Sequence, residues 1–300
     1  MDVSIIIVNY NTKQLTKECI DSIFLKTSDV DFEVILVDNA SSDGSKELFK
    51  KDQRVTFVES ESNLGFGRAN NLGYQYARGK YIFLLNSDTL LLNNAVKMFF
   101  DYAERLDSQV ACLGSLLLDI DGNFIHSYAK FPSVLRIALQ LINQYTSLIG
   151  CNLSGYNPNV TDKDLPLRVD YVTGADLFIR RSVIEQLGLF NPAFFMYYEE
   201  TEMQYRYKKH GYYSEIVSGP KIIHYNGSGR KKKKSMKGMY ISTQGCFTYC
   251  ELIFDTISYL IIRILYVILL LPKIILYPTS LKEKLKYLSL LCCHKGLRKS

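Results

Sequence analysis

The sequence predicts an α/β fold, a mixed and mostly parallel sheet flanked by helices, with a C-terminal helical appendage. Three observations predict it. Short β-branched runs alternate with stretches of helical period over the first ninety or so residues, which implies right-handed crossovers and parallel strands. One run, Tyr81-Ile82-Phe83-Leu84-Leu85, is apolar without alternation, the signature of a strand covered on both faces. Past residue 230 the chain turns basic and apolar together, so residues 1–230 read as one domain and 231–300 as an appendage.

The elements follow in order. Val3–Val8 is a β-branched strand ending at Asn9-Tyr10-Asn11. Thr12 stands where an N-cap belongs, before a helix with Leu15, Cys19, Ile20 and Ile23 on one face. Glu33–Val37 is a second strand ending at Asp38-Asn39, and Ser41-Ser42-Asp43-Gly44 turns into another helix. Val55–Val58 is a third, shorter strand. Asn63–Gly67 is a turn into a helix from Arg68 to about Ala77. The central strand then ends at Asn86-Ser87-Asp88, at the edge where open α/β sheets hold ligands. A hard divalent cation takes oxygen donors, and a bound nucleoside diphosphate supplies several of them; the competing reading is a polar turn closing a core strand. Asn93–Leu106 reads as a helix, Val110–Leu118 as a strand, and Asp121-Gly122 as a hairpin turn. Between 132 and 166, Val134, Leu135, Ala138, Leu141, Ile142, Tyr145 and Ile149 recur at helical spacing, either a helix packed on the core or a flap facing an acceptor or membrane.

Composition narrows the function. Apolar residues make up 47% and charged residues 22%, as in a globular core. The net charge of +6 hides an asymmetry: from Arg230 onward 14 Lys/Arg face three acids, +11, leaving −5 for residues 1–229. An acidic body with a basic, apolar tail suits an anionic membrane surface and argues against nucleic acid. The chain enters its first strand without a charged-then-apolar leader, against a secretory signal. Its seven cysteines lack Cys-x-x-Cys spacing, as expected of reduced thiols in the cytosol. A dinucleotide fold would need Gly-x-Gly-x-x-Gly after the first strand, and a sugar-nucleotide pyrophosphorylase a glycine-rich basic loop. Asn9-Tyr10-Asn11-Thr12-Lys13 is neither.

Four segments, Ser4–Asn11, Val37–Ser45, Asn63–Gly67 and Leu85–Thr89, together resemble the family 2 inverting glycosyltransferases, most closely the branch of rhamnosyltransferases. The resemblance covers roughly residues 1–230 and implies the fold called GT-A. It implies transfer of a sugar from a nucleoside diphosphate, thymidine- or uridine-linked, to an acceptor hydroxyl with inversion. The acceptor it suggests is a glycan or lipid-linked glycan at the cytoplasmic face of a membrane, with rhamnose, galactofuranose or a hexose as the sugar. A non-catalytic membrane-bound assembly partner with the same fold is the competing reading, and an oligomer is compatible with either.

The resemblance also assigns residues. Asn9, Tyr10 and Asn11, with Arg68 and Asn86, would bind the donor, and Asp38 and Asn39 would meet the pyrimidine edge; a local Asx turn is the alternative for that pair. Asp88 would hold Mg²⁺ or Mn²⁺, with His224 at the end of Lys221–His224 completing the site or serving only the core. Where relatives have Asp-x-Asp, this chain has Asn86-Ser87-Asp88, one carboxylate fewer. Val169–Arg181 is read as two strands around a turn, Gly174-Ala175, which would floor the sugar pocket or merely pack tightly. Glu199, Glu200 and Glu202 follow the apolar run Phe194–Tyr198. Such acids suit a helix start in water, yet beside aromatics they are costly without a task. Glu200 matches the position of the catalytic base, and Glu199 and Glu202 would shape the acceptor pocket or orient the base. Gly227–Lys234 corresponds to a loop that closes over the donor in relatives.

The appendage poses its own question. Leu252–Tyr277 is long enough to span a bilayer, which takes about 20 apolar residues. Asp255, Arg263 and Lys273 interrupt it and Pro272 breaks it near its end, which favours lying in the interface with the cations reaching headgroups. Lys231–Lys234, Lys282, Lys284 and Lys286 would add about 1 kcal/mol each near anionic lipid. A helical hairpin packed on the domain is the rival.

Overall fold

The structure, a computed structural model, describes residues 1–143, 157, 159–225 and 235–293. Tyr145, Ile149, the loop from Gly227 and the lysines 231–234 lie outside the described residues. In chain order the elements are β1 (Val3–Asn9), α1 (Lys13–Lys26), β2 (Phe32–Asp38), α2 (Ser45–Phe49), β3 (Val55–Glu59), α3 (Phe66–Tyr74), β4 (Tyr81–Asn86), β5 (Thr89–Leu91) and α4 (Ala95–Arg105). Then come β6 (Val110–Gly114), β7 (Tyr128–Ala129), α5 (Val134–Asn143), β8 (Leu167–Val169), β9 (Tyr171–Val172), β10 (Asp176–Arg180) and α6 (Arg181–Leu187). The chain closes with α7 (Glu199–Lys209), β11 (Tyr213–Ile216), β12 (Ile222–His224), α8 (Met236–Ile253), α9 (Thr256–Leu276) and α10 (Leu281–Cys293).

Eight strands form the main sheet in the order β3-β2-β1-β4-β10-β6-β11-β8. The first four are mutually parallel, and β10 enters antiparallel between β4 and β6. The period of two divides β1 and β4 between two cores. Ile5, Ile7, Phe83 and Leu85 join one cluster with Phe99 and Phe178, while Ile6, Ile82 and Leu84 join the other with Ala69 and Met203. Both faces of β4 are therefore covered, as its unalternating composition predicts.

Three boundaries differ from the sequence reading. The strand predicted over Val110–Leu118 stops at Gly114, where a Cβ would come within 2.3 Å of Val172 Cγ1. Beyond it the Asp176 carboxylate takes the Ser115 amide, and the chain turns off to form a bridge from Leu118 to Ile223. The helix predicted from Arg68 begins at Phe66, whose amide is bonded by Phe195 O at 2.9 Å. The apolar run Leu252–Tyr277 is split between two helices at Asp255, which caps α9 by accepting from the Ile257 and Ser258 amides, while Pro272 lies inside α9.

Helices α5, α8, α9 and α10 build a third core with Phe194, which precedes α7. Ile137 and Leu141 of α5 meet α9, and Tyr249 of α8 packs on Tyr198 and Tyr205. Arg263 does not reach outward as expected of a headgroup-seeking cation. It lies over the Phe247 ring and donates to the Leu291 carbonyl at the end of α10. Ile262, Tyr266, Leu270 and Ile274 face inward at helical spacing, leaving the other side of α9 apolar and exposed.

Candidate active site

The carboxyl ends of β1, β2 and β4 are laced together by short polar side chains. Asn9 donates to Asp38 Oδ1 at 2.7 Å and to Ser41 Oγ at 3.0 Å, and its own oxygen accepts from the Thr16 hydroxyl at 2.9 Å. Thr12, expected as an N-cap, makes no cap bond of that kind. Its hydroxyl donates to Asn9 and meets Ser87 at 3.0 Å across the strand ends. Asn11 has a left-handed backbone (φ 54) and accepts from the Ser42 amide. Asp38 accepts from the Ser41 amide at 3.2 Å, the Asx-type alternative. Asn39 clamps the next turn, accepting from Leu64 N and donating to Asn63 Oδ1 and Gly65 O. Asn9, Asp38 and Asn39 are thus buried and hydrogen-bonded within the chain, while Tyr10 and Arg68 are exposed.

The next residues come together through a pairing the sequence reading lacked. Strands β5 and β12 form an antiparallel ladder that sets His224 opposite Thr89. His224 Nε2 thereby lies 3.3 Å from Asp88 Oδ1 and 3.4 Å from the Asn86 amide. No group of three or more His, Cys, Asp or Glu side chains able to hold a metal occurs among the described residues. One carboxylate, one imidazole and one amide fall short of the roughly six donors that Mg²⁺ prefers. The set fits a cation that a diphosphate helps to hold, with the protein supplying the smaller share.

Asp176 was missed, although an acid opening the apolar run 176–179 is a visible anomaly. It is fully buried, accepts from Ser115 N and Oγ at 2.7 and 2.6 Å, and its Oδ1 has no hydrogen-bond partner. Burial pushes its carboxyl up to about 7, against the opposing pull of Ser115.

The acidic run is aimed by a strained approach. Tyr197 and Tyr198 both have φ 72, a region that costs a residue with a Cβ about 1–2 kcal/mol. Two glycines hold the segment there. Gly65 (φ 82) could not carry a Cβ, which would lie 1.9 Å from Phe195 O. On the opposite side Gly245 of α8 packs so closely that a Cβ would fall 2.6 Å from Tyr197 O. Glu199 then opens α7 with 3% of its surface exposed and Oε2 without a hydrogen-bond partner. Burial, followed by the neighbouring Glu200, pushes its carboxyl up to about 8. Burial also raises Glu200. Glu202 turns elsewhere: it pairs with Arg206 at 3.0 Å, and Arg206 in turn binds the carbonyls of Gly188 and Leu189. It anchors α7 and lines neither cleft described next, contrary to the acceptor-pocket expectation.

Glu199, Glu200, Asn86 and His224 line one cleft of about 370 Å³, with Gly174 and Ala175 among its small residues. A Cβ on Gly174 would meet the Phe66 ring at 3.3 Å, a tight contact that would press the ring aside. A second cleft of about 440 Å³ also takes Glu200, together with His126, Tyr197, Thr201 and residues of α5. His126, which the sequence reading passed over, borders both clefts, and burial lowers its pKa toward the neutral imidazole. A third hollow, about 570 Å³ near Tyr128, Arg168 and Lys208, contains none of the predicted site residues.

Comparison with known proteins agrees with this arrangement. The family model described as Glycosyl transferase family 2 matches residues 4–188. A low-salt glycan biosynthesis hexosyltransferase, Agl10 of Haloferax volcanii, is 25% identical over 88% of this chain and 81% of its own. The N-acetylglucosaminyl-diphospho-decaprenol L-rhamnosyltransferase of Mycobacterium tuberculosis is 25% identical over 70% of this chain and 72% of its own. Among solved structures, GalNAc-T7 with UDP, GalNAc and Mn²⁺ superposes with a TM-score of 0.63 at 17% identity, covering 98% of this chain. The match spans only 55% of that longer protein and speaks to the fold alone.

Proposed function

The chain belongs to glycosyl transferase family 2, a glycosyltransferase with the GT-A fold, and on that premise we propose that it moves a hexose or rhamnose from a nucleoside diphosphate onto a lipid-linked glycan, with inversion. One observation carries the reading: Glu200 lines both clefts, the first shared with Asn86 and His224, the second running toward α5 and α8. A general base for single displacement belongs at such a junction. The sugars named for the hexosyl- and rhamnosyltransferase relatives motivate the choice of sugar, and the lipid diphosphate in the latter's name motivates the acceptor.

In the first cleft the donor's sugar lies over Gly174 and Ala175. Glu200 takes the proton of the acceptor hydroxyl as that oxygen bonds to the anomeric carbon. The bond from that carbon to the phosphate oxygen breaks, and its electron pair leaves on the diphosphate. Asp88, His224 and Asn86 would hold a divalent cation, Mg²⁺ or Mn²⁺, whose chemistry is to neutralise charge on the leaving diphosphate. Burial and the neighbouring Glu200 raise the Glu199 carboxyl, which favours its neutral form and keeps a second negative charge from crowding the base.

The same proposal seats the protein on the cytoplasmic face of an anionic membrane without crossing it. Helix α9 is long and apolar enough to cross, but one of its faces is packed into the third core. Its outer face exposes Leu260, Ile264, Ile268 and Ile275, and α10 adds Leu285 beside the exposed Lys282 and Lys286. Full-length protein should float with anionic liposomes and lose that binding in high salt or as Ile264→Ser/Ile268→Ser. Resistance to alkaline carbonate would mean insertion instead. The activity itself is tested by screening nucleotide sugars with Mg²⁺ or Mn²⁺ for nucleoside diphosphate release, with and without membrane lipid. Release that lipid stimulates supports the reading, and no release from any donor refutes it.

A further inference from the structure

The second cleft carries more charge than a hydroxyl acceptor requires. Beside Glu200 and Tyr197 it is lined by Lys130, Arg136, Gln140 and Ser242. Its remaining titratable neighbours are His126, whose pKa burial lowers, and the tyrosines 171 and 198, whose pKa values burial raises. Among the described residues that line it, two cations, Lys130 and Arg136, share the cleft with one carboxylate. Arg136 and Gln140 stand one turn apart on α5 and so share a face. The other face of α5 buries Ile137 and Leu141 among the residues of α8–α10, while Leu135 and Ile142 stay exposed. Arg136 is thus presented by the helix that packs into the apolar bundle, and Lys130 by the segment that leads from β7 into it.

From this juxtaposition we infer that Lys130 and Arg136 bind the diphosphate of the acceptor, so that its sugar hydroxyl reaches Glu200 while its hydrocarbon chain runs out over the exposed side chains of α5 and α9. The inference rests on the transferase reading and gives its acceptor a chemical class, a glycan joined to a lipid through a diphosphate. Arginine and lysine are the side chains that recognise such a group, the one through a planar fork and the other as a point charge. Distance along the acceptor sets the order: reacting sugar, anion, then chain, which matches base, cations, then apolar face.

The test uses full-length protein in detergent with EDTA, which removes cation-dependent binding at the donor end. Calorimetry compares geranyl diphosphate, inorganic pyrophosphate and geraniol on the wild type and on Lys130→Ala/Arg136→Ala. Each lost charge-assisted contact weakens binding about ten-fold or more, so the double variant should lose geranyl diphosphate at least that strongly. Geraniol should bind weakly and equally to both. Lys130→Arg should retain binding, which separates recognition from collapse of the fold. Equal affinity of wild type and double variant for geranyl diphosphate overturns the inference, and so does pyrophosphate binding as tightly as geranyl diphosphate. Nucleoside diphosphate release is measured on the same preparations. Release that survives in both, with no difference in geranyl diphosphate binding, sinks this inference and leaves the transferase reading standing.

Discussion

Gly245→Ala puts the strained approach to Glu199 and Glu200 to a test in which local and tertiary effects have opposite signs. Gly245 lies inside α8, where alanine is the better helix former by about 1 kcal/mol, so helix propensity alone makes the variant more stable. The new methyl, however, would lie 2.6 Å from Tyr197 O and 3.1 Å from Met196 O. Ordinary carbon–oxygen contact begins well beyond that, and both neighbours are backbone, so they yield only by moving the segment. Overpacking of this kind costs about 1–3 kcal/mol, enough to cancel or exceed the propensity gain. The larger effect falls on catalysis. Tyr197 and Tyr198 hold φ 72 and hand the chain directly to Glu199, so a shift there moves both carboxylates. A misplacement of about 1 Å costs on the order of a hundred-fold in rate. Thermal melts and steady-state kinetics read the two effects separately. The expected variant melts no higher than wild type, loses kcat by about two orders of magnitude, and keeps its KM for donor, since Asp88 and His224 are untouched. A variant that is both more stable and fully active refutes the role given to this contact.

Three further outcomes are expected. Asp88→Ala should abolish cation-dependent donor binding in calorimetry with Mn²⁺ while the protein still folds and melts cooperatively. Glu199 is raised to about 8 when folded and titrates near 4.5 when unfolded, so the folded state binds the extra proton between those values. Its contribution to stability is full at acid pH and falls as pH rises toward 8, and Glu199→Gln should flatten that part of the profile in denaturant titrations. Glu202→Gln should lower stability by loosening Arg206 from the 187–189 turn, with kcat near wild type; a catalytically dead but stable variant would contradict the anchoring role.

The sheet was legible because its strands carry their burial in composition: Tyr81–Leu85 without alternation, Val3–Val8 β-branched throughout. The positions of Asp88 and Glu200 were legible because strand ends and acid-after-aromatic runs are local patterns. What stayed hidden was long-range. The resemblance already set His224, at the end of Lys221–His224, with Asp88, but the β5–β12 ladder that joins them stayed hidden, because the three residues of β5 leave almost no periodic signal. Asn9, Asp38 and Asn39 read as ligand-facing polar residues, yet their hydrogen bonds run to one another's loops, a choice that depends on the distance between strand ends. Gly65 looked like an ordinary turn glycine, and its tightest neighbour is 130 positions away at Phe195. Arg263 looked like a cation seeking headgroups because the α10 carbonyls that receive it are invisible from α9 alone.

The central claim is that Glu200 deprotonates the acceptor. Glu200→Gln preserves shape and removes the basic oxygen, so it should bind nucleotide sugar as wild type does while turnover falls by about a hundred- to ten-thousand-fold. The measurement is kcat beside the donor dissociation constant on the same preparation, with Glu199→Gln in parallel. Intact donor binding with turnover lost in Glu200→Gln is the predicted result. Wild-type turnover in Glu200→Gln, with Glu199→Gln the inactive variant, would contradict it.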